Sequence, residues 1–429
     1  MGRLSTNETF AKIAKYLYIA FFITSFISYT LKEKGLHLVW SRTTVADFIV
    51  LLALVFTIPA FLHMFKNLLK FPKPYLAAGI LLIGFLITAI FSSYPMMTLV
   101  ECIIILFLLL ISIGIYLTFR ETPLSSLLSW FMWGAILFTV IGFYDLAAEQ
   151  YGFYRVFPVA KYPGVLIAGF KNTGQAGSFF MIIFILLLPL RFSKTIDLIS
   201  KSRRLLLNIA LVSCLLMLFT LGKYSVIFGL IVGTILFALF TRRKAIVFYL
   251  IAVIVFFIGF IQILKVILPD AYGRVGFKFE NRVLKNELNT KEAGFIEENF
   301  TAAITAFIDH PITGCGLGTF QCTYHFYEVH STYLKMLGEA GLIGVFAYLF
   351  FMFRFVRIFP INWKQSENPL THYLQCMLPL LLGAFVTWTY TYHLRKREFW
   401  ILLAIVLIVD WKRRRSELDS HYIKVNDQI

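Results

Sequence analysis

Of the 429 residues, 59% are hydrophobic and only 15% are charged, with a mean hydropathy of +0.78, which excludes an ordinary soluble domain because a water-facing surface needs more charge. A net charge of +17 would fit nucleic acid, but the basic residues sit where loops meet apolar runs rather than along one soluble face, so no nucleic-acid partner is expected. The alternating ten-residue pattern of a membrane barrel is absent as well.

Apolar runs near the length needed to cross roughly 30 Å of hydrocarbon predict spans at 12–31, 44–64, 75–92, 97–119, 124–146, 176–190, 205–221, 224–240, 246–268, 332–353, 373–390 and 398–411. Backbone amides in lipid must be satisfied within their own segment, so these spans are helices. The first is read as retained, because Ser and Thr break it and no small-residue cleavage pattern follows Thr30. With the N-terminus inside, every second loop is basic, as positive-inside topology requires. The cytoplasmic clusters are Lys66/Lys70/Lys73, Arg191/Lys194/Lys201/Arg203/Arg204, Arg242/Arg243/Lys244, Arg354/Arg357/Lys364 and Lys412 to Arg415. One connection disagrees: Arg395, Lys396 and Arg397 fall on the outer side.

Two loops stand out on that side. Residues 147–175 carry Tyr151, Tyr154, Arg155, Phe157, Lys161 and Tyr162, a mixture that reads as an interfacial belt or, alternatively, as a sugar-stacking surface. The longest interruption, 269–331, contains Phe295, Phe300, Ile304 and Phe307 near helical spacing, which predicts an amphipathic helix over 295–308, ended by Pro311. Glycines 314, 316 and 318 then form a turn-rich re-entry toward the bilayer, and Ala340 with Gly344 suits close helix packing. No internal repeat is visible, and no inverted pair of broken helices.

The fold expected is all-α: a polytopic transmembrane helical bundle of about 12 spans, with a long loop on the face away from the cytoplasm that contains an amphipathic helix. Residues 1–268 hold the first nine helices, 269–331 the loop, 332–411 the last three helices and 412–429 a basic cytoplasmic tail. Cys102, Cys214 and Cys376 are packing residues, whereas Cys315 and Cys322 share the loop and could pair in an oxidising compartment. A zinc site from His325, Glu328 and His330 is disfavoured, since their spacings do not put all three on one helical face.

The stretch from Asp309 to Gly344 also resembles a known family. Pro311, Gly314, Gly316, Gly318 and Phe320, then His330, Ser331, Tyr333 and Leu334, then Glu339, Gly341 and Gly344, are similar to the signature of the O-antigen ligase and O-antigen polymerase superfamily. The segment from Gly169 to Gly177 resembles that family's Gly-x-x-x-Asn-x-x-Ala stretch, and Thr220 to Ser225 lies where members often carry Ser-Arg. The resemblance implies a C-type glycosyltransferase-like bundle in the bacterial inner membrane. It would act at the periplasmic face in lipopolysaccharide biosynthesis, independent of metal and without a cofactor. Its donor would be an undecaprenyl-diphosphate-linked glycan and its acceptor the lipid A-core or another glycan. An O-antigen ligase is the first reading, a repeat-unit polymerase the alternative, and a membrane transporter the rival from another class.

Such a transfer needs a base for the acceptor proton and fixed cations for the departing diphosphate. His330, which matches the family histidine, is the expected base. Arg274, Arg282 and Lys223 are the expected diphosphate ligands, with pairing to Glu280, Glu297 or Glu298 as the plain alternative. Lys171, Asn172, Gln175 and Tyr333 are candidate sugar contacts, although capping would account for the first three equally. Lys223 stands where relatives often have Arg, Gly222 where they often have Ser, and Arg282 is the nearest match to the arginine usual before the amphipathic helix. Glu101 and Glu339 are acids in or near spans; Glu339, nine residues past His330, is expected on the opposite helical face as a structural partner.

Overall fold

The computed structural model describes residues 6–24, 45–66, 71–157, 170, 172–192, 200–241, 244–279, 290–362 and 368–426. Every regular element among them is a helix: α1 (Thr6–Thr24), α2 (Val45–Phe65), α3 (Lys73–Phe91), α4 (Pro95–Phe119), α5 (Leu124–Tyr151), α6 (Thr173–Phe192), α7 (Lys201–Thr220), α8 (Tyr224–Thr241), α9 (Lys244–Ile267), α10 (Pro269–Phe279), α11 (Thr290–Asp309), α12 (Phe320–Thr323), α13 (Thr332–Val356), α14 (Pro369–Thr387) and α15 (Arg397–Asn426). Nine of the described helices, α2 to α8 with α13 and α14, are long and apolar enough to cross a membrane. The other three predicted segments fall on α1, α9 and α15.

Two helices form the centre. Residues 176–190 of α6 and 398–410 of α15 are buried on every side, as expected of helices that are apolar all round. The remaining helices surround them and turn apolar side chains such as Ile83, Ile90, Trp133 and Val140 outward, an arrangement only lipid tolerates over so wide a belt. Between α8 and α14 the backbones nearly touch: a Cβ on Gly383 would fall 2.3 Å from Gly229 O. α13 crosses α3 at Gly84, against Ala347 and Ile343. Gly344 of α13 also faces α3, where a Cβ would lie 3.7 Å from the Phe85 ring. That Cβ would lie 2.1 Å from Ala340 of the same helix, because the helix breaks between them.

One end of the bundle is closed by basic residues. Arg413 and Arg414 hold Asp410 at 2.7 and 2.9 Å, and Arg415 reaches Glu121 at 2.9 Å. The long loop covers the other end. Pro269 does not stop the chain but opens α10, since the first turn of a helix needs no amide donor there. α11 extends five residues earlier than the predicted amphipathic segment and one later, and it lays Ala303 and Ala306 against α13.

Candidate functional site

The loop-bearing end is organised by an interruption in α13. Gly341 takes φ +58° and ψ −160°, a conformation open essentially to glycine alone, so the helical ladder fails around it. Backbone groups stripped of helical partners in an apolar setting must be met elsewhere. The glycine-rich turn meets them. Cys315 N–H donates to Gly338 O (3.1 Å) and Gly316 N–H to Glu339 O (2.9 Å), while Pro311 O and Ile312 O accept from Leu342 N–H (2.9 Å) and Ile343 N–H (3.1 Å). So close is this seam that a Cβ on Gly314 would lie 2.3 Å from the Glu339 carbonyl carbon. The predicted re-entry turn is therefore a splint on a broken helix, anchored at its far side by Ser92 Oγ donating to Cys315 O (3.1 Å).

Beneath the splint lies a buried ion pair. Lys335 Nζ sits 3.2 Å from Glu339 Oε1 with both side chains 1% exposed, and Gly318 N–H donates to the other carboxylate oxygen. The Lys335 ammonium also lies 4.5 Å over the Tyr392 ring. Glu339 is thus a structural partner, as its helical position implied, and sequence reading passed over Lys335.

The start of α13 accounts for the His-Ser-x-Tyr-Leu pattern. Ser331 caps the helix, accepting from Leu334 N–H at 3.3 Å, and Tyr333 donates its hydroxyl to Phe385 O at 2.9 Å. Thr332 is stitched to the connector between α14 and α15, through Trp388 O and Thr391 O (both 2.8 Å). His330 comes immediately before the cap and is exposed at the rim. Enough protein surrounds its ring that desolvation lowers its pKa below the usual histidine value, and Lys223, Lys335 and Lys396 act in the same direction while Glu328 opposes them. The imidazole is thereby kept in its neutral, proton-accepting form at neutral pH.

Lys223 ends the short α7–α8 turn and approaches the first turn of α6: a Cβ on Gly174 would be 3.5 Å from Lys223 Cε. Asn172 caps that helix, its Oδ1 accepting from Gln175 N–H at 2.8 Å, and the Gln175 side chain bonds to Glu398. His330, Lys223, Asn172 and Gln175 are therefore brought to one neighbourhood. Tyr333 points its hydroxyl to α14 instead. Arg274 lies on α10 with its side chain outside the described set, and Lys171 and Arg282 lie outside the described residues.

The outlying cations of the α14–α15 connector prove to be part of this rim. Arg395 Nη1 pairs with Glu101 (3.1 Å) and Glu328 (3.2 Å), Arg397 with Asp47 (2.7 Å), and Lys396 Nζ with Ser178 Oγ (2.7 Å). Burial pushes the Lys396 ammonium down to about 8, opposed by Glu398 and assisted by Lys223. Their one signal in the sequence was the break they made in the positive-inside pattern.

His325 is engaged at both ring nitrogens: Nδ1 accepts from Tyr327 N–H (3.1 Å) and faces Asn299 Nδ2 (3.4 Å), while Nε2 lies 3.7 Å from Glu298. Among the described residues no group of three or more His, Cys, Asp or Glu is placed to hold a metal ion. The cysteine pair considered from sequence does not form. Cys315 is buried under α11, where burial pushes its thiol up to about 11, and Cys322 is exposed beside Met97 Sδ (3.5 Å).

No curated protein matches the chain. A family model described as O-antigen ligase matches residues 209–349, the stretch that runs from α7 through Lys223, the glycine splint and His330 into α13.

Proposed function

We propose, from the match of residues 209–349 to the O-antigen ligase family model and the geometry of the rim, that the chain is an inverting, metal-independent transferase that moves a glycan from an undecaprenyl-diphosphate carrier to an acceptor hydroxyl on the periplasmic side. The observation that carries this reading is His330 at the rim, within electrostatic reach of Lys223, with its proton affinity lowered. A neutral imidazole beside an ammonium is what the reaction asks of a protein.

In the proposed step, His330 takes the proton of the acceptor hydroxyl as its oxygen attacks the anomeric carbon from the face opposite the diphosphate. The carbon–oxygen bond to the diphosphate breaks with inversion, and the leaving group departs with both electrons. Lys223, with Arg274 and Arg282 supplied by the loop, meets the developing charge. The proton ends on the imidazole, where Glu328 favours the imidazolium.

The reading extends to topology. About 12 spans, the basic end in the cytoplasm and the loop in the periplasm fit the alternation of basic clusters. Residues 1–268 and 332–411 then form the membrane body, 269–331 the periplasmic loop and 412–429 the cytoplasmic tail. The lipid A-core is the favoured acceptor, as in a ligase; a repeat-unit polymerase would use the same groups on a carrier-bound acceptor. Purified protein given an undecaprenyl-diphosphate glycan and either acceptor, with and without chelator, tests reaction, acceptor and metal need together. Normal glycan transfer by a stably inserted His330→Ala variant would refute the assignment of the base.

A further inference from the structure

Lys396 lies outside the family-matched stretch, in the connector that topology alone would not have made basic. Its ammonium is fixed by Ser178 Oγ at 2.7 Å, and Ser178 in turn donates to Gly174 O at 2.8 Å. Gly174 is the residue beside which Lys223 lies, a Cβ there being 4.0 Å from Lys223 Nζ. The two lysines thus flank the same turn of α6, one from the α7–α8 turn and one from the α14–α15 connector. Each also acts on His330 from its own side.

The other charged and titratable groups acting on Lys396 are few: Glu398 in α15, whose carboxylate takes a bond from Gln175, and the imidazole of His393, held between Trp388 and Thr387. Glu328 is drawn toward Arg395, and Lys335 is neutralised by Glu339. The two ammonium groups act against each other, Lys223 lowering the pKa of Lys396, so an anion received between them would be favoured by both. An ammonium has three N–H donors, so Lys396 keeps donors beyond the one used on Ser178.

We propose that Lys396 is a catalytic residue, the second ammonium of the diphosphate site, and that it grips the leaving group from the side opposite Lys223 as the glycosidic bond breaks. This rests on the transferase reading above. Ser178 is the positioning residue that aims it. Since burial holds this ammonium near 8, the grip should be present at neutral pH and fade as the pH rises through that value. An arginine in its place would remain charged throughout.

The experiment uses the full chain in lipid nanodiscs and two readouts, binding of undecaprenyl diphosphate and glycan transfer. Lys396→Met is expected to weaken binding at least tenfold at pH 7 and to lower kcat/KM about 100-fold, the scale of losing one donor to a developing anion. His330→Ala should abolish transfer and leave binding within twofold. At pH 9 the wild type should bind as weakly as Lys396→Met, whereas Lys396→Arg should bind equally at pH 7 and 9. Ser178→Ala should raise the donor KM less than Lys396→Met does. Wild-type binding by Lys396→Met with an unchanged melting temperature overturns the proposal. If Lys396→Met fails to insert, the comparison of wild type with Lys396→Arg decides: equal loss of binding at pH 9 in both overturns it. Absence of transfer by the wild type to any acceptor, with Lys396-dependent binding intact, would remove the transferase reading and leave the anion site standing.

Discussion

Arg395 ties Glu328, two residues before the rim imidazole, to Glu101 in α4, with one guanidinium nitrogen within 3.2 Å of both carboxylates. A residue 65 positions downstream thus sets where the segment bearing His330 rests on the bundle. The Glu101 side chain is 8% exposed and its second oxygen has no partner among the described residues, so the guanidinium is its main compensation.

Arg395→Met should therefore destabilise the protein by about 3 kcal/mol, the scale of leaving a buried carboxylate unpaired. Thermal unfolding in detergent measures it. Adding Glu101→Gln should recover a substantial part of the loss. Equal loss in the single and double variants would show that Arg395 acts through packing alone.

Lys335 and Glu339 form the second pair, with neither side chain reaching solvent. Either Lys335→Met or Glu339→Gln should cost about 3 kcal/mol or more, and the double variant distinctly less than the sum, because the desolvation penalty disappears with both charges. A double-mutant cycle on unfolding midpoints reads the coupling. Additive losses would contradict it.

Gly341→Ala should prevent accumulation of folded protein. The methyl would sit 2.5 Å from Gly314 N and 2.6 Å from Ile312 O, on a backbone conformation that alanine strongly disfavours. Gly79→Ala in α3, with nothing within 4 Å of the added carbon, is the matched control and should be neutral or stabilising by up to about 1 kcal/mol. Yield of monodisperse protein after detergent extraction distinguishes the two.

The pH profile tests His330. A base must be neutral to accept the proton, so kcat/KM should fall as the pH drops through the imidazole pKa, and that limb should lie below the ordinary histidine value because burial and three lysines disfavour the imidazolium. Lys223→Met removes one of those cations and should move the limb to higher pH, together with a loss of donor binding. A limb that stays in place or moves lower would sever the link between the two residues.

Much of the architecture was legible in order along the chain. Apolar length and basic punctuation place the helices, and the spacing of Phe300, Ile304 and Phe307 announces α11. The His-Ser-x-Tyr-Leu and glycine patterns directed attention to the 36 residues from Asp309 to Gly344, yet not to their structural division of labour. Ser331 caps, Tyr333 anchors α13 to α14, and the glycines splint a helix whose break at Gly341 has no local signature distinct from ordinary small-residue packing.

What the sequence by itself determined is whatever depends on neighbours in the chain: which segments enter lipid, which ends are basic and where a helix caps. Transfer from water to hydrocarbon is a local free energy, summed residue by residue. Only the tertiary structure decided the charge pairing. Arg395 lies 294 residues from Glu101, and Lys396 lies 218 from Ser178, so their partners are chosen by how helices pack. A buried charge takes the counter-charge or donor that folding brings within about 3 Å, and no periodicity along the chain encodes which one that will be.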